Sequence, residues 1–306
     1  MRKLLIIIWV VIGFMELVNA QKLRVATYNV RFENIGDVKK GNGWEQRCPI
    51  ISQLIRFHDF DIFGAQEVRY KQLNDLLERL DGYSFVGVGR TDGKTGGEYS
   101  PIFYKPQLFE LLDSGTFWLS TTPHVPSIGW DAALPRICSW GKFKIKGTAK
   151  VFWFFNLHMD HIGEQARLES TKLIISKINT MCVNEPVILT GDFNLNQNSE
   201  GYKLIGNLTK LHDSFAVSEL CYALNGTTNA FNPNRKTDTR IDHIFLSNDF
   251  VTYRYGILTD TYRTAINDST QNIKPDSLYK YAPIGQYEIR LPSDHYPVLV
   301  EVGFKY

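Results

Sequence analysis

Pro186-Val187-Ile188-Leu189-Thr190-Gly191-Asp192-Phe193-Asn194 is the stretch on which the reading of this 306-residue chain turns. Val187, Ile188 and Leu189 follow one another without a polar break, the mark of a strand covered on both faces. The run ends at Asp192 and Asn194. Strand alternation puts these two on the same side, so a carboxylate and an amide face one spot. A water held there can lose its proton to Asp192 while Asn194 donates to a phosphate oxygen. The plainer alternative is an Asx-type turn capping the next helix.

Working outward, other apolar runs also end in polar residues. Residues 23–30 are β-rich and carry Asn29 near their end. Residues 61–65 form a short buried strand ending at Gln66-Glu67. Residues 151–157 lead to His158, and residues 240–246 carry Asp242. Further strands fit 83–88, 99–104, 109–119, 136–146, 251–258 and 296–302. Helical spacing marks 44–57 through Trp44, Cys48, Ile51, Leu54 and Ile55, a second segment through Leu73, Leu76, Leu77 and Leu80, and a third over 164–181. Residues 259–291 are polar and read as an irregular surface excursion. No repeat or linker divides residues 21–306, and the site candidates run from Asn29 to His295, so one domain is expected.

Residues 1–20 combine Arg2-Lys3, an apolar run over 4–14 and the small-residue close Val18-Asn19-Ala20. They read as a secretory signal peptide, with Glu16 interrupting the run too early for a spanning helix. The expectation is an exported, monomeric protein with no membrane span after cleavage. The formal charge of +2 is nearly balanced, so no global field draws the chain onto nucleic acid. Lys142, Lys144 and Lys146 alternate on one strand face and read first as a solvated face. Cys48 and Cys138 sit in apolar segments and read as buried thiols.

Six segments then carry a resemblance: Thr27-Tyr28-Asn29-Val30, Gln66-Glu67-Val68, Asn156-Leu157-His158-Met159-Asp160, Gly191-Asp192-Phe193-Asn194, Arg240-Ile241-Asp242-His243-Ile244-Phe245 and Ser293-Asp294-His295-Tyr296-Pro297-Val298. In this order they resemble the endonuclease/exonuclease/phosphatase superfamily, whose deoxyribonuclease I-like fold is a four-layer α/β sandwich of two mixed β-sheets flanked by helices. The resemblance implies hydrolysis of a phosphoester by direct attack of water, with Mg²⁺ or Mn²⁺ as cofactor. It implies catalytic roles for His158, Asp192, Asn194, Asp242 and His295, with Asp242 holding His295. Asn29, Glu67 and Asp294 are implied beside the metal, as suits a hard cation that takes few protein carboxylates. Glu98 resembles an acid that orients His158. Arg136 is a candidate phosphate grip, and Asp160 a neighbour of the site.

The substrate stays open among nucleic acid, a phospholipid headgroup and a small organophosphate, with a phosphodiester preferred. Tyr253, Tyr255, Tyr279 and Tyr281 offer either lipid-facing tips or packing residues. Val30 stands where the DNA-repair branch usually has glycine, which argues against an abasic-site role. No serine or cysteine lies in a motif for covalent catalysis. The rival from another class is an exported binding module that keeps the fold without the activity.

Overall fold

The apolar run at 187–189 forms the strand Val187–Asp192, buried along its whole length. It pairs in parallel with Val151–His158 and antiparallel with Asp242–Ser247. These three strands centre a six-stranded sheet that continues through Ile137–Ile145 to Phe109–Trp118 on one side and ends at Leu211–Asp213 on the other. A seven-stranded sheet runs in the order Leu220–Tyr222, Phe250–Ile257, Val298–Phe304, Leu23–Asn29, Ile62–Gln66, Ile102–Tyr104 and Ser84–Val86. This computed structural model describes residues 22–266 and 287–305. The leader, Tyr279 and Tyr281 lie outside the described residues.

Three apolar clusters define four layers. Between the sheets lie Val25, Ile62, Phe143, Phe152, Phe154, Ile188, Ile244 and Val300, among others. The helices Trp44–Phe57 and Tyr70–Arg79 cover the far side of the seven-stranded sheet through Cys48, Ile51, Ile55, Leu73 and Leu76. The helices Glu164–Met181 and Glu200–Leu208 cover the six-stranded sheet through Ile174, Ile178 and Ile205. The four-layer sandwich of two mixed sheets is therefore the fold of this chain. Among the described residues, no helix is long and apolar enough to cross a membrane.

Each sheet holds one central parallel pair, and parallel strands bring their carboxyl ends to the same edge. Asn29 stands opposite Gln66 in one sheet, and Asp192 stands between His158 and Asp242 in the other. Register alone thus gathers residues distant in sequence. A buried amide joins the two sheets beneath that edge. Asn156 Nδ2 donates to the carbonyls of Ala65 (2.8 Å) and Pro101 (2.9 Å), while its Oδ1 accepts from Gln66 Nε2 (2.7 Å) and Thr190 Oγ1 (3.2 Å). Gly64 leaves room for it, because a Cβ there would overlap the Asn156 amide.

Several boundaries differ from the sequence reading. The expected strand 99–104 divides into Glu98–Tyr99 and Ile102–Tyr104, with Pro101 between, because proline has no N–H for the ladder. The 259–291 excursion contains a ladder, Tyr262–Ala265 with Tyr287–Arg290. Its side chains are mostly exposed, so it lacks a buried face that would mark alternation. Tyr255 is buried in the core rather than a lipid-facing tip. Cys48, Cys138 and Cys182 are buried free thiols, and Cys221 is an exposed one.

Candidate active site

The strand ends open into a cleft of about 250 Å³ lined by Glu67, Asp192, Asn194, Asp294, His158 and His295, with Arg90, Glu98 and Arg136 on its rim. A larger depression of about 990 Å³ surrounds Cys182, Glu185 and Asn248 at the opposite end of the same sheet. It contains none of the acid–imidazole set, so the smaller cleft is the chemically equipped one.

One hydrogen-bonded chain crosses from sheet to sheet. Asn29 Nδ2 donates to Glu67 Oε1 (3.1 Å) and to Asp192 Oδ2 (3.0 Å). His295 Nδ1 lies 2.9 Å from Asp242 Oδ2 and 3.9 Å from Asp192 Oδ2. Burial disfavours charge on His295, but the Asp242 carboxylate beside it, followed by Asp192 and Asp294, raises the imidazole well above its usual value. Burial, reinforced by Asp242 and opposed by His295, pushes the Asp192 carboxyl up to about 7. An imidazolium proton donor and a carboxyl able to exchange a proton near neutrality thus share one cleft.

The opposite wall is cationic. Arg136 is buried, with Nε 3.2 Å from Asp160 Oδ2, Nη1 3.2 Å from both His158 ring nitrogens and Nη2 2.9 Å from His161 Nδ1. Burial, then the charges of Arg136 and Arg90, hold His158 well below the usual imidazole value, so it is neutral. Asp160 lies behind Arg136 rather than in the cleft. Burial would raise its carboxyl, but backbone N–H groups from Gly163, Ile162 and Ala133, helped by Arg136, bring it down to about 2.

Two expected geometries are corrected. Glu98 does not hold His158: its carboxylate accepts from Arg90 Nη2 at 2.9 Å, while His158 faces Arg136 and has Asp192 at 3.7 Å. Asn194 is not on the strand, which ends at Asp192. Its φ is +48°, its N–H donates to Asp192 Oδ1 (3.0 Å) and its Nδ2 to the Met159 carbonyl (3.0 Å). The Asx-type turn is present, and it still leaves Asn194 lining the cleft. His243 Nε2 donates to the Leu195 carbonyl (2.9 Å), and the ring packs against Phe193, away from the cleft.

The carboxylates fit a hard divalent cation. Glu67 and Asp294 share Arg31, whose Nη1 is 4.0 Å from one and 3.5 Å from the other. A guanidinium already occupies the bridging position, which shows that the pair demands a positive charge. Asp192, Asp242 and His295 also place ligand atoms within 4.8 Å of one another. The 2.9 Å hydrogen bond between His295 and Asp242 engages two of these three with each other, so Glu67 and Asp294 are the better metal donors. Glu67 and Arg31 have φ of +61° and +59°, costly for residues with side chains, and strain of this kind concentrates at functional sites. Arg47 fixes this corner, donating to the carbonyls of Val30 (2.7 Å), Arg31 (3.1 Å) and Pro292 (2.9 Å).

Arg31, Phe32, Arg90 and Leu134 line the cleft without having been expected there. Arg31 and Phe32 directly follow the Asn29-Val30 segment, a cue available in the sequence. Arg90 and Leu134 arrive on loops and carry no such cue.

The chain resembles several known proteins along nearly its whole described length. An endonuclease/exonuclease/phosphatase family protein from Bacteroides thetaiotaomicron is 50% identical, with a TM-score of 0.86, 94% of this chain covered and 99% of that one. A mannosyl-6-phosphatase of Bacteroides thetaiotaomicron is also 50% identical, with a TM-score of 0.84 and coverage of 92% and 100%. An uncharacterized protein of Acanthamoeba polyphaga mimivirus is 33% identical over 159 residues, 49% of this chain but only 59% of the viral protein. The endonuclease/exonuclease/phosphatase family model matches residues 26–295, and the chain belongs to that family.

Proposed function

We propose that the chain is a divalent-metal-dependent phosphomonoesterase that removes the phosphate of a small phosphosugar by direct attack of water. The observation that carries the reading is one small cleft lined by the acids Glu67, Asp192 and Asp294 together with Arg136, His158 and His295. The buried Arg136 guanidinium and the charged His295 imidazole suit the two charges of a terminal phosphate better than the single charge of a diester. The cleft is smaller than the roughly 300–1,000 Å³ usual for drug-sized ligands. The 50% identity to a mannosyl-6-phosphatase supports the same choice over the diester preferred from sequence.

Asp192 takes the proton of the attacking water as the water oxygen bonds to phosphorus, while Asn29 steadies the Asp192 oxygen that does not cap Asn194. The bond from phosphorus to the sugar oxygen breaks, and that oxygen leaves with a proton from bulk water. His295, charged through Asp242, donates to an oxygen of the reacting phosphate. Neutral His158 and the guanidinium of Arg136 donate to the others. Glu67 and Asp294 would hold Mg²⁺ or Mn²⁺, which when bound neutralises phosphate charge and polarises the phosphorus centre.

Glu67→Ala should leave the fold intact and raise the Mg²⁺ concentration needed for half-maximal activity by about tenfold or more, as loss of a ligand does. An unchanged Mg²⁺ titration in the folded variant would remove Glu67 from the metal site. The substrate claim is tested by rates with Mg²⁺ on mannose 6-phosphate, bis-p-nitrophenyl phosphate, sphingomyelin and plasmid DNA. Release of phosphate from the sugar ester should dominate, and faster cleavage of either diester or of DNA would replace the monoester reading.

A further inference from the structure

Arg90 and Glu98 form an ion pair of 2.9 Å in which each side chain is about nine-tenths buried, at 9% and 12% exposure. Both face the cleft, yet neither touches the Asn29–Asp192–Asp242–His295 chain. Desolvating two charges is expensive, and a well-packed apolar pair would serve stability as well or better. The pair is also held rigidly. The Trp118 indole donates to the Arg90 carbonyl at 2.7 Å, and the Arg90 N–H donates to the Glu98 carbonyl at 3.0 Å. Glu98 lies on a short strand paired with Val68–Arg69, directly after Glu67.

The same rim carries apolar surface. Phe32 lies between the guanidiniums of Arg31 and Arg69, 4.7 and 5.0 Å from its ring centre, and Leu134 adds an aliphatic face that is 40% exposed. A carboxylate that accepts from hydroxyls, a guanidinium that donates to them, and an apolar edge at Phe32 and Leu134 for C–H groups together match one kind of ligand: a polyhydroxylated ring. A lipid tail would leave the ion pair unpaired and dry.

We infer that the Arg90–Glu98 pair, with Phe32 and Leu134, is the subsite for the sugar ring of the substrate and sets specificity for a hexose over other phosphate-bearing groups. The inference rests on the phosphomonoesterase reading above. Glu98 hydrogen-bonds ring hydroxyls through the carboxylate oxygen not engaged by Arg90, and Arg90 does so through its remaining N–H groups. A site built to hydrogen-bond hydroxyls discriminates strongly against a ligand that lacks them.

The test compares kcat/KM for mannose 6-phosphate and p-nitrophenyl phosphate in Mg²⁺, in wild type, Glu98→Gln and Glu98→Asp. Wild type should prefer the sugar ester. Both variants should cut that preference by about 10–100-fold, mainly through KM, the usual worth of a hydrogen bond to a charged group. Glu98→Asp keeps the charge beside Arg90 and withdraws the carboxylate by one methylene, so its melting temperature should stay near wild type where Glu98→Gln falls. Equal losses on both substrates would make the pair structural and overturn the subsite. A wild type that hydrolyses p-nitrophenyl phosphate without preferring the sugar ester also overturns the subsite, while leaving the phosphatase reading in place. A wild type inert toward both removes the two together.

Discussion

Replacing His295 by alanine should lower kcat by about 10²–10⁴, the usual worth of a positioned acid or base, and replacing Asp242 as well should cost little more. The two side chains form one unit: Asp242 is fully buried, and its Oδ2 lies 2.9 Å from His295 Nδ1. Its other oxygen, Oδ1, has no hydrogen-bond partner among the described residues. Asp242 therefore acts on the rate chiefly through the imidazole, which it orients and keeps charged, with a smaller effect through the Asp192 carboxyl it helps to raise. Residues acting as a unit are non-additive. Asp242→Ala alone should approach the His295→Ala loss, and the double variant should be scarcely slower than His295→Ala. If Asp242 merely anchored its strand, the losses would multiply, and the melting temperature would fall for Asp242→Ala but not for His295→Ala. Measuring kcat and melting temperature for the three variants decides between these outcomes.

The largest effect on stability should come from a residue that touches no substrate. Asn156→Ala removes the amide that ties Ala65 and Pro101 in one sheet to Thr190 in the other. It strands the buried Ala65 carbonyl, worth about 1–3 kcal/mol when unsatisfied, and takes one of two partners from the Pro101 carbonyl and the Gln66 amide, which keep the Ala65 N–H and Thr27 Oγ1. The expected loss is about 2–4 kcal/mol, a fall in melting temperature of about 4–16 °C for a chain of this size. Gly64→Ala should be comparably severe, because the Asn156 amide is held by four bonds and cannot move aside for a Cβ. A melting temperature within about 2 °C of wild type for Asn156→Ala would show that the sheets are joined by their apolar core alone.

Elements with a strong period were legible in the sequence. The helices Trp44–Phe57 and Glu164–Met181 have the expected bounds, and the strand at Val187 follows from its unbroken apolar run. The ends of those strands were legible too, because a polar group closing an apolar run stands out. Asn29, Glu67, His158 and Asp192 close such runs, Asp242, Asp294 and His295 precede them, and strand register brings all seven to one edge. Long-range pairing was not legible. Nothing in Glu98-Tyr99-Ser100-Pro101 shows that Glu98 turns to Arg90 rather than His158, since loop geometry decides the partner. Asn156 reads from sequence as a member of a motif, and its inter-sheet role depends on how closely Gly64 lets the opposite strand approach. The exposed ladder of Tyr262–Ala265 and Tyr287–Arg290 has no buried face and so no period to read.

If the cleft removes the phosphate of a sugar ester with a divalent cation, phosphate release must depend on that cation. The most direct measurement is release of inorganic phosphate from mannose 6-phosphate by the wild-type protein with Mg²⁺, then with EDTA, then with excess Mg²⁺ restored. Release should stop with EDTA and return with Mg²⁺. Release that continues undiminished in EDTA, or none under any of the three conditions, would contradict it.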